Sequence, residues 1–371
     1  MNFKVNRIIL LNSLSKVSKA VSYKTPLPAL TGIKFDLYPT FLQLTASEQN
    51  IAIQVKIEAD NNLEIIDTGS VVLSAKYILE IIRKLDSDIV EFEIIDGFLT
   101  RISGGNSEFN LNGTDPMDYP QIDLIPKGMP FIMDSIELKE LINDTRFAAS
   151  EKENRPILTG INLIAKDNEL VAIGTNSYRL SKKSVKIDSD ITFDITIPAK
   201  SLDDISKIIE NQDNVNIYVS ERSVIFIFEN NIILTRLIDG SFPDVSSLIP
   251  TQFAHELTID SSLISNSISR VSLLTNEQNN VIKLDMNNDR VILSSFMQEI
   301  GSVEDTITEC FYKGEPLSIT FDNKYISDAI KVLDKGKIKL CFPGEMRPFI
   351  LKMAEDDSLI ELILPVRTHS Y

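Results

Sequence analysis

Residues 76–85 read KYILEIIRKL, and two later stretches repeat the pattern, KSLDDISKII at residues 200–209 and KYISDAIKVL at residues 324–333. The opening lysines are evenly spaced, because 200 − 76 = 124 and 324 − 200 = 124. In the first stretch Ile78, Ile81 and Leu85 stand at i, i+3 and i+7, and both later stretches are apolar at the same positions. This spacing is typical of a helix with one buried face. Its regular recurrence indicates that the chain consists of three copies of one unit.

The segments between the copies repeat as well. The tripeptide LIP occurs at residues 124–126 and again at 248–250, which is the same spacing of 124 residues. Each LIP opens a proline-bearing stretch before a new strand-like segment. We therefore predict three modules, at residues 1–127, 128–250 and 251–371.

Each copy shows the same order of parts. A short apolar strand opens it, at residues 3–5, 131–133 and 257–259, and a first amphipathic helix follows. Strands with period-two alternation come next, then the repeated second helix, then more strands. Strands outnumber helices and do not alternate with them, so the pattern predicts an α+β module in which two helices lie on one face of an antiparallel sheet.

The composition is that of an ordinary soluble protein, with 371 residues of which 43% are hydrophobic. No apolar run approaches the roughly 20 residues needed to cross a membrane, and the N-terminus resembles neither a signal nor a transit peptide. The two cysteines, Cys310 and Cys341, are too few for a disulfide framework. We therefore expect a cytoplasmic protein without a membrane partner, whose cysteines serve as buried apolar residues.

The sequence offers little for catalysis. Its two histidines, His255 and His369, cannot be assembled into a Ser-His-Asp, Cys-His or zinc arrangement. There is no glycine-rich phosphate loop, and the acidic clusters at 203–204 and 355–357 are typical of solvated surface. We predict no enzyme, no catalytic residue, no metal and no cofactor, although a carboxylate dyad stays open as an alternative.

The charge of the chain bears on its partner. The net charge is −16, whereas a protein that holds DNA by phosphate contacts over its surface is basic. The segment from Arg7 to Lys24 nevertheless carries four basic residues, Lys16 and Lys19 included, and no acid. A ring that retains DNA by topology needs few phosphate contacts. Three sheet-bearing modules in a line leave two open edges, and head-to-tail contacts between such edges close into rings when the rotation fits. A monomeric array is the alternative.

Five stretches extend this interpretation. They are LPAL at 27–30, RPILTG at 155–160, TNSYRL at 175–180, DGSFPD at 239–244 and LPVR at 364–367. With these stretches in order over essentially the whole chain, the sequence resembles the β sliding clamps, the processivity subunits of bacterial DNA polymerase III. The resemblance implies a clamp fold that forms a head-to-tail homodimeric ring, with helices lining the hole, around double-stranded DNA of any sequence. It also implies that a clamp loader opens the ring with ATP.

The resemblance further implies three sets of site residues. One cleft receives short peptides from the replicative polymerase subunit, repair polymerases and mismatch-repair proteins. It comprises Leu158, Thr175, Tyr178, Arg179, Leu180, Pro243, Leu248, Tyr325, Met346, Pro348, Leu364, Pro365, Val366 and Arg367. The DNA-binding residues are Lys24, Lys152, Arg155 and Lys200. The dimer interface includes Ser107, Phe109 and Leu111 on one copy and Leu273 and Leu274 on the other.

The chain departs from the family pattern at several positions. Tyr178 replaces a common histidine in the cleft, and the tail at 368–371 runs past Arg367, where it is able to lie over the cleft. At the interface Asn106 and Glu108 stand where the family often has arginines, and the opposing segment is acidic at residues 299, 304 and 305. We therefore expect a weaker or more salt-sensitive dimer.

Three functions remain to be separated. The first is a non-catalytic clamp that encircles DNA and tethers the polymerase. The alternatives are a peptide-binding scaffold of three modules that does not encircle DNA, and a hydrolase or nuclease with a cryptic carboxylate site. A stable dimer of the 41.6 kDa chain in gel filtration favours the ring over the scaffold, and turnover of a substrate with Mg²⁺ or Mn²⁺ would favour the enzyme.

Overall fold

The computed structural model describes residues 1–152, 154–210, 214–276, 280–287, 290–333 and 336–367, and the predicted tail at 368–371 lies outside them. The described residues form six α-helices and four antiparallel β-sheets. The helices are α1 (Arg7–Val17), α2 (Ala75–Lys84), α3 (Ser135–Arg146), α4 (Ala199–Ser206), α5 (Ser261–Val271) and α6 (Asn323–Val332).

The strands follow the three thirds of the chain. Those of the first third are β1 (Asn2–Asn6), β2 (Gly32–Leu37), β3 (Phe41–Ser47), β4 (Ile51–Glu58), β5 (Leu63–Asp67), β6 (Gly69–Ser74), β7 (Ile89–Asp96), β8 (Leu99–Gly104) and β9 (Ser107–Asn112). Those of the second are β10 (Phe131–Asp134), β11 (Gly160–Lys166), β12 (Glu169–Thr175), β13 (Arg179–Lys186), β14 (Phe193–Pro198), β15 (Asn214–Val219), β16 (Ser223–Phe228) and β17 (Asn231–Arg236). Those of the third are β18 (His255–Asp260), β19 (Val281–Met286), β20 (Val291–Met297), β21 (Gly301–Ile307), β22 (Cys310–Lys313), β23 (Leu317–Asp322), β24 (Lys337–Phe342), β25 (Phe349–Met353) and β26 (Leu359–Ile363).

The chain forms two compact units. Unit one comprises Met1–Leu138 and Ser201–Leu237, and unit two comprises Lys139–Lys200 and Ile238–Tyr371. Unit one holds a five-stranded sheet, β5-β1-β7-β8-β9, and an eight-stranded sheet, β10-β15-β16-β17-β4-β3-β2-β6. Unit two holds a nine-stranded sheet, β14-β11-β12-β13-β26-β25-β24-β18-β22, and a four-stranded sheet, β21-β20-β19-β23.

The repeat predicted from sequence is confirmed in the second helix of each third. These helices begin at Ala75, Ala199 and Asn323, again 124 residues apart. The first apolar position of the pattern is buried in all three copies, as are the last positions of the pattern. One position differs in the first copy, where Ile81 is half-buried and Ile82 is fully buried in its place. A helix with 3.6 residues per turn allows this change, because i+3 and i+4 lie on the same face.

The first helix of each third begins directly after the opening strand. The side chain of Asn6 accepts hydrogen bonds from the backbone N–H groups of Ile8 and Ile9, and so caps α1. Asp260 caps α5 in the same way through Ser262 N. These caps fix where each strand ends and its helix starts, so the apolar face of the helix is set against the core.

The sheets do not follow the module boundaries. The sequence predicted one sheet per module with both helices on one face, but each third divides its strands between two sheets. In unit one β17 pairs with β4 of the preceding third, and in unit two β26 pairs with β13. The first helix contacts strands of both sheets, since α1 packs on β1 and on β4. Edge strands complete their backbone hydrogen bonds by this sharing.

The two cysteines differ in burial, and the described helices are limited in length or hydropathy. Cys341 is buried in β24, and burial raises the pKa of its thiol to about 11, whereas Cys310 is only partly buried. Both are free thiols. Among the described residues, every helix is too short or too polar to pass through a lipid bilayer.

The shared sheet of unit one leads to a stability prediction. Ile233 on β17 is fully buried opposite Ile53 of β4, whereas its neighbour Ile232 is only partly buried. We expect Ile233→Ala to lower the free energy of unfolding by about 2–5 kcal/mol, because it leaves a cavity where the first third of the chain meets the second third. Ile232→Ala is the matched control, and urea denaturation measures both. Equal losses in the two variants would contradict the buried junction.

Candidate functional site

A tight turn at residues 175–179 forms one wall of the predicted cleft in unit two. Thr175 ends β12, and its hydroxyl donates to the carbonyl of Arg179 over 2.7 Å. The side chain of Asn176 accepts hydrogen bonds from the N–H groups of Tyr178 and Arg179, at 3.0 Å each. Ser177 adopts a positive φ of 76°. This network holds the Tyr178 side chain outward, where 59% of it is exposed.

The side chain of Arg179 points into the unit. Its guanidinium lies between the rings of Phe147 and Tyr325, 5.1 and 4.8 Å from their centroids. It also forms an ion pair with Asp328 at 2.7 Å and donates to the carbonyl of Phe147. Only 6% of Arg179 is exposed. The resemblance assigned this arginine to the peptide cleft, but its terminal N–H groups bond to Asp328 and Phe147 within the protein, and its buried Nε has no hydrogen-bond partner among the described residues.

The floor of the cleft is an apolar cluster where β13 meets β26. Leu180 and Val245 are buried in it, and the half-buried Leu364 packs against it. The N–H of Leu364 donates to the carbonyl of Tyr178 over 2.9 Å, and the N–H of Val366 donates to Thr320 O over 2.7 Å. These bonds fix the segment after β26 beside the turn at 175–179. The structure therefore brings together Tyr178, Leu180 and Leu364, three of the residues assigned to the predicted cleft.

The remaining predicted cleft residues differ in exposure. Tyr325, Pro348 and Pro365 are half-buried, and Leu158 is buried. Met346 and Leu248 are more than half exposed, and Pro243 and Arg367 are exposed as well. Large exposed apolar side chains beside an apolar floor are suited to bind a peptide with apolar anchors.

A buried carboxyl group lies beneath this cleft. Glu361 on β26 faces Ser181 on β13, with Glu361 Oε1 2.7 Å from Ser181 Oγ. The same hydroxyl donates to the carbonyl of Asp144 over 2.6 Å, and the Asp144 carboxylate forms an ion pair with Lys183 at 3.4 Å. Burial raises the pKa of Glu361 well above its ordinary value, with the Asp144 carboxylate adding to the effect. A protonated Glu361 donates to Ser181, which leaves the hydroxyl proton for Asp144.

The four predicted DNA-binding residues are all exposed. Lys24 and Lys152 occupy corresponding loops, since each lies four residues before a proline that opens a short 3-10 helix, at Pro28–Thr31 and Pro156–Thr159. Arg155 directly precedes the second of these helices, and Lys200 lies in the first turn of α4.

Two cations of the basic first segment have structural partners. Arg7 donates from Nε to the carbonyl of Ser87 over 3.0 Å, just beyond the end of α2. Lys16 forms an ion pair with Glu210 at 2.9 Å. Two of the four basic residues of this segment therefore have partners elsewhere in the protein.

The predicted interface residues differ in exposure, since Ser107, Phe109 and Leu273 are exposed whereas Leu111 and Leu274 are half-buried. Ser107, Phe109 and Leu111 are on β9, the edge strand of the five-stranded sheet, and Phe109 is 38% exposed. Leu273 and Leu274 follow α5 in a short 3-10 helix, with Leu273 80% exposed.

The acidic clusters have local partners. Asp203 forms an ion pair with Lys207 one turn along α4, and Asp357 forms one with Lys352. Asp356 accepts from the N–H of Ser358 in a turn. In the part of the chain that the structure describes, no three His, Cys, Asp or Glu side chains are grouped as a metal site would require.

Comparisons with known proteins show which family the chain matches. Three family models match in order, described as the N-terminal, central and C-terminal domains of the DNA polymerase III beta subunit, at residues 1–123, 133–244 and 246–367. The chain is 39% identical over 378 residues to the beta sliding clamp of Bacillus subtilis and 37% identical over 376 residues to that of Staphylococcus epidermidis. Each match covers 100% of this chain and 100% of the relative.

Solved structures agree with these matches. The crystal structure of the Bacillus subtilis DNA polymerase sliding clamp superimposes with a TM-score of 0.95 at 38% identity, and covers all of both chains. The beta chain of DNA polymerase III from Streptococcus pneumoniae superimposes with a TM-score of 0.94 at 32% identity, covering 99% of this chain and 100% of that one.

The buried carboxyl leads to a prediction on pH. Because the pKa of Glu361 is raised in the folded state, the folded state holds this proton more tightly than the unfolded state. The stability from this group is present in full below the ordinary glutamate pKa and is lost as the pH rises through the folded-state pKa, by up to about 1.4 kcal/mol per pH unit. We expect Glu361→Gln to remove that loss, measured as the free energy of unfolding between pH 5 and 9.

The exposed Glu309 supplies the matched control, as Glu309→Gln. If Glu361→Gln showed the same decline with pH as the unsubstituted protein and this control, the carboxyl would not be the group that takes up the proton.

Proposed function

Because the chain belongs to the family of DNA polymerase III beta subunits, the bacterial sliding clamps, we propose that two copies close head to tail around duplex DNA and hold the replicative polymerase on it. Membership makes the chain a DNA sliding clamp, a processivity factor of replication that is itself a non-catalytic subunit. DNA and a polymerase are accordingly its partners. The closed ring, the residues that line it and the further partners are the proposal.

The observation that carries the ring is the correspondence of two sheet edges to the strands that pair at the internal junctions, since β9 matches β17 and β26 in the repeat and β21 matches β4 and β13. β9 ends the five-stranded sheet of unit one, and β21 ends the four-stranded sheet of unit two. Unpaired strand edges are templates for pairing with another chain. If β9 of each copy pairs with β21 of the other, the contact is heterologous and repeats until the ring closes.

Lys24, Lys152, Arg155 and Lys200 are the proposed contacts to DNA. Each is exposed, and lysine and arginine bind phosphates without reading bases. Few such contacts suffice when DNA is retained by topology, and weak contacts let the ring slide. The net charge of −16 then opposes adsorption of the outer surface to nucleic acid.

The cleft of unit two is the proposed docking site for partner proteins. Several partners would each insert a short peptide into this cleft. They are a clamp loader driven by ATP, the replicative polymerase subunit, repair polymerases and mismatch-repair proteins. The apolar side chains of the peptide would contact Tyr178, Leu248 and Met346 at the rim and Leu364 at the floor. Arg179 supports this surface from below, because it fixes Tyr325 and the turn that carries Tyr178. We propose that the protein acts in the cytoplasm.

Retention on DNA tests the ring. The protein is loaded onto nicked circular DNA by its cognate loader and ATP, and retention is measured by gel filtration before and after one restriction cut. We expect the protein to stay on the circle and leave the linear form, because free ends let a ring slide off. Equal retention on both forms would favour binding by contact, and no retention on either would favour the scaffold that does not encircle DNA.

The cleft has its own test. We expect Leu248→Ala combined with Met346→Ala to weaken binding of a labelled peptide from the replicative polymerase by about tenfold or more, because anchor contacts carry most of the energy in such interfaces. Fluorescence anisotropy measures the affinity. Both side chains are exposed, so folding and dimer mass stay unchanged.

Phe311→Ala is the control, since Phe311 is an exposed apolar residue of unit two outside the cleft set. The assignment is wrong if the double variant binds the peptide as tightly as this control does.

A further inference from the structure

Both internal sheet junctions use the same register. At the first, Ile233 on β17 faces Ile53 on β4. At the second, Glu361 on β26 faces Ser181 on β13. These are corresponding positions of the repeat, because the pairing of each strand with its other neighbour in its own third aligns them. Two independent junctions therefore obey one pairing rule.

The same correspondence identifies the equivalent residues on the edge strands β9 and β21, which have no partner strand on their outer side within the described chain. Phe109 on β9 corresponds to Ile233 and Glu361, because these three face Ile102, Phe226 and Leu351 on the neighbouring strand. Val303 on β21 corresponds to Ile53 and Ser181, because these three face Ser295, Ala46 and Gly174. Val303 already packs against the core of its unit, and Phe109 is partly exposed.

We infer that a second copy of this chain pairs its β21 with β9 in this register, so that Phe109 faces the partner subunit's Val303 and Glu108 faces the partner subunit's Glu304. The inference rests on the proposed ring and adds which side chains meet in it. The apolar pair extends the core across the junction, as the pair of Ile233 and Ile53 does within the chain. The two glutamates place like charges directly opposite each other, which opposes pairing.

No internal junction has this conflict. The corresponding pairs are Ile232 with Gln54 and Ile360 with Lys182, and neither joins two like charges. Within their own sheets, Glu108 faces Ser103 and Glu304 faces Ser294.

A cation on β8, which adjoins β9, and a cation on β19, two strands from β21, are already in ion pairs. Arg101 is bonded to Glu93, and Lys283 forms an ion pair with Asp285 at 2.9 Å.

On the helix side of the proposed junction, the corresponding residues have opposite charges and attract each other. At the first internal junction Lys16, the tenth residue of α1, forms an ion pair with Glu210 of the next third. The corresponding residues are Arg270, the tenth residue of α5, and Asp86, which lies 124 positions before Glu210. The signs of charge are the same, so the rule places Arg270 beside the partner subunit's Asp86. Arg270 spends two of its N–H donors on Asp305 and has five in all.

A charge-reversal cycle on the full chain tests the outer pair. Glu108→Lys and Glu304→Lys each turn repulsion into attraction. We expect either one to lower the dimer dissociation constant by about tenfold to thirtyfold, because the ring contains two such junctions. The double variant faces lysine with lysine, and its affinity should return to about that of the unsubstituted protein. Analytical ultracentrifugation measures each dissociation constant.

Glu221→Lys is the control for net charge alone, because Glu221 is exposed and lies on a turn far from β9 in sequence. Asp86→Asn is expected to weaken the dimer, since it removes the attractive pair on the helix side. If both single lysine variants leave the dissociation constant where this control leaves it, the glutamate pair is excluded.

Disulfide trapping tests the register itself. Phe109→Cys combined with Val303→Cys should give a covalent dimer on oxidation, while Phe109→Cys combined with Gly301→Cys, two residues out of register, should not. The unsubstituted protein, with Cys310 and Cys341, runs alongside as the background. Trapping by the second pair alone overturns the register and leaves the ring standing. An unsubstituted protein that stays monomeric at every concentration overturns the proposed ring instead.

Discussion

The fold depends on the need of edge strands to complete their backbone hydrogen bonds. In each third the strands divide between two sheets, and a half-sheet alone exposes a row of N–H and C=O groups. Pairing of β17 with β4, and of β26 with β13, closes these rows within the chain. Because the backbone makes these bonds, the side chains at the junctions are free to differ. They form an apolar pair at one junction and a carboxyl with a hydroxyl at the other.

The proposed peptide cleft lies at the second junction. Arg179 and Leu180 begin β13, and Leu364 follows β26, so the pairing of these two strands brings the wall and the floor together. The buried carboxyl of Glu361 lies in the same pair of strands. The geometry of this surface is therefore set by sheet pairing and by the stack of Arg179 on two aromatic rings.

Sequence alone predicted the repeat, the strands and the apolar faces of the helices, because periodicity reports burial directly. It did not predict the sharing of sheets, since strand alternation shows which face of a strand is buried but not which strand lies beside it. Arg179 was assigned to the peptide cleft, and the structure buries its side chain. Its partners Phe147 and Asp328 lie 32 and 149 residues away in sequence, beyond the reach of any local pattern.

The charges at corresponding positions differ between the three copies of the repeat. The tenth residue of the first helix is Lys16 in one third and Arg270 in another, and Asp144 holds the matching place in the middle third. Asp144 pairs with Lys183 on the adjacent strand, and Arg270 pairs with Asp305 at the corresponding strand position, with the signs of charge reversed. The backbone thus keeps one plan while the ion pairs vary. Internal junctions are held by chain connectivity whatever their charges, because their strands cannot diffuse apart. A junction between copies has no such tether, so the side chains that meet there contribute directly to the dissociation constant of the proposed ring.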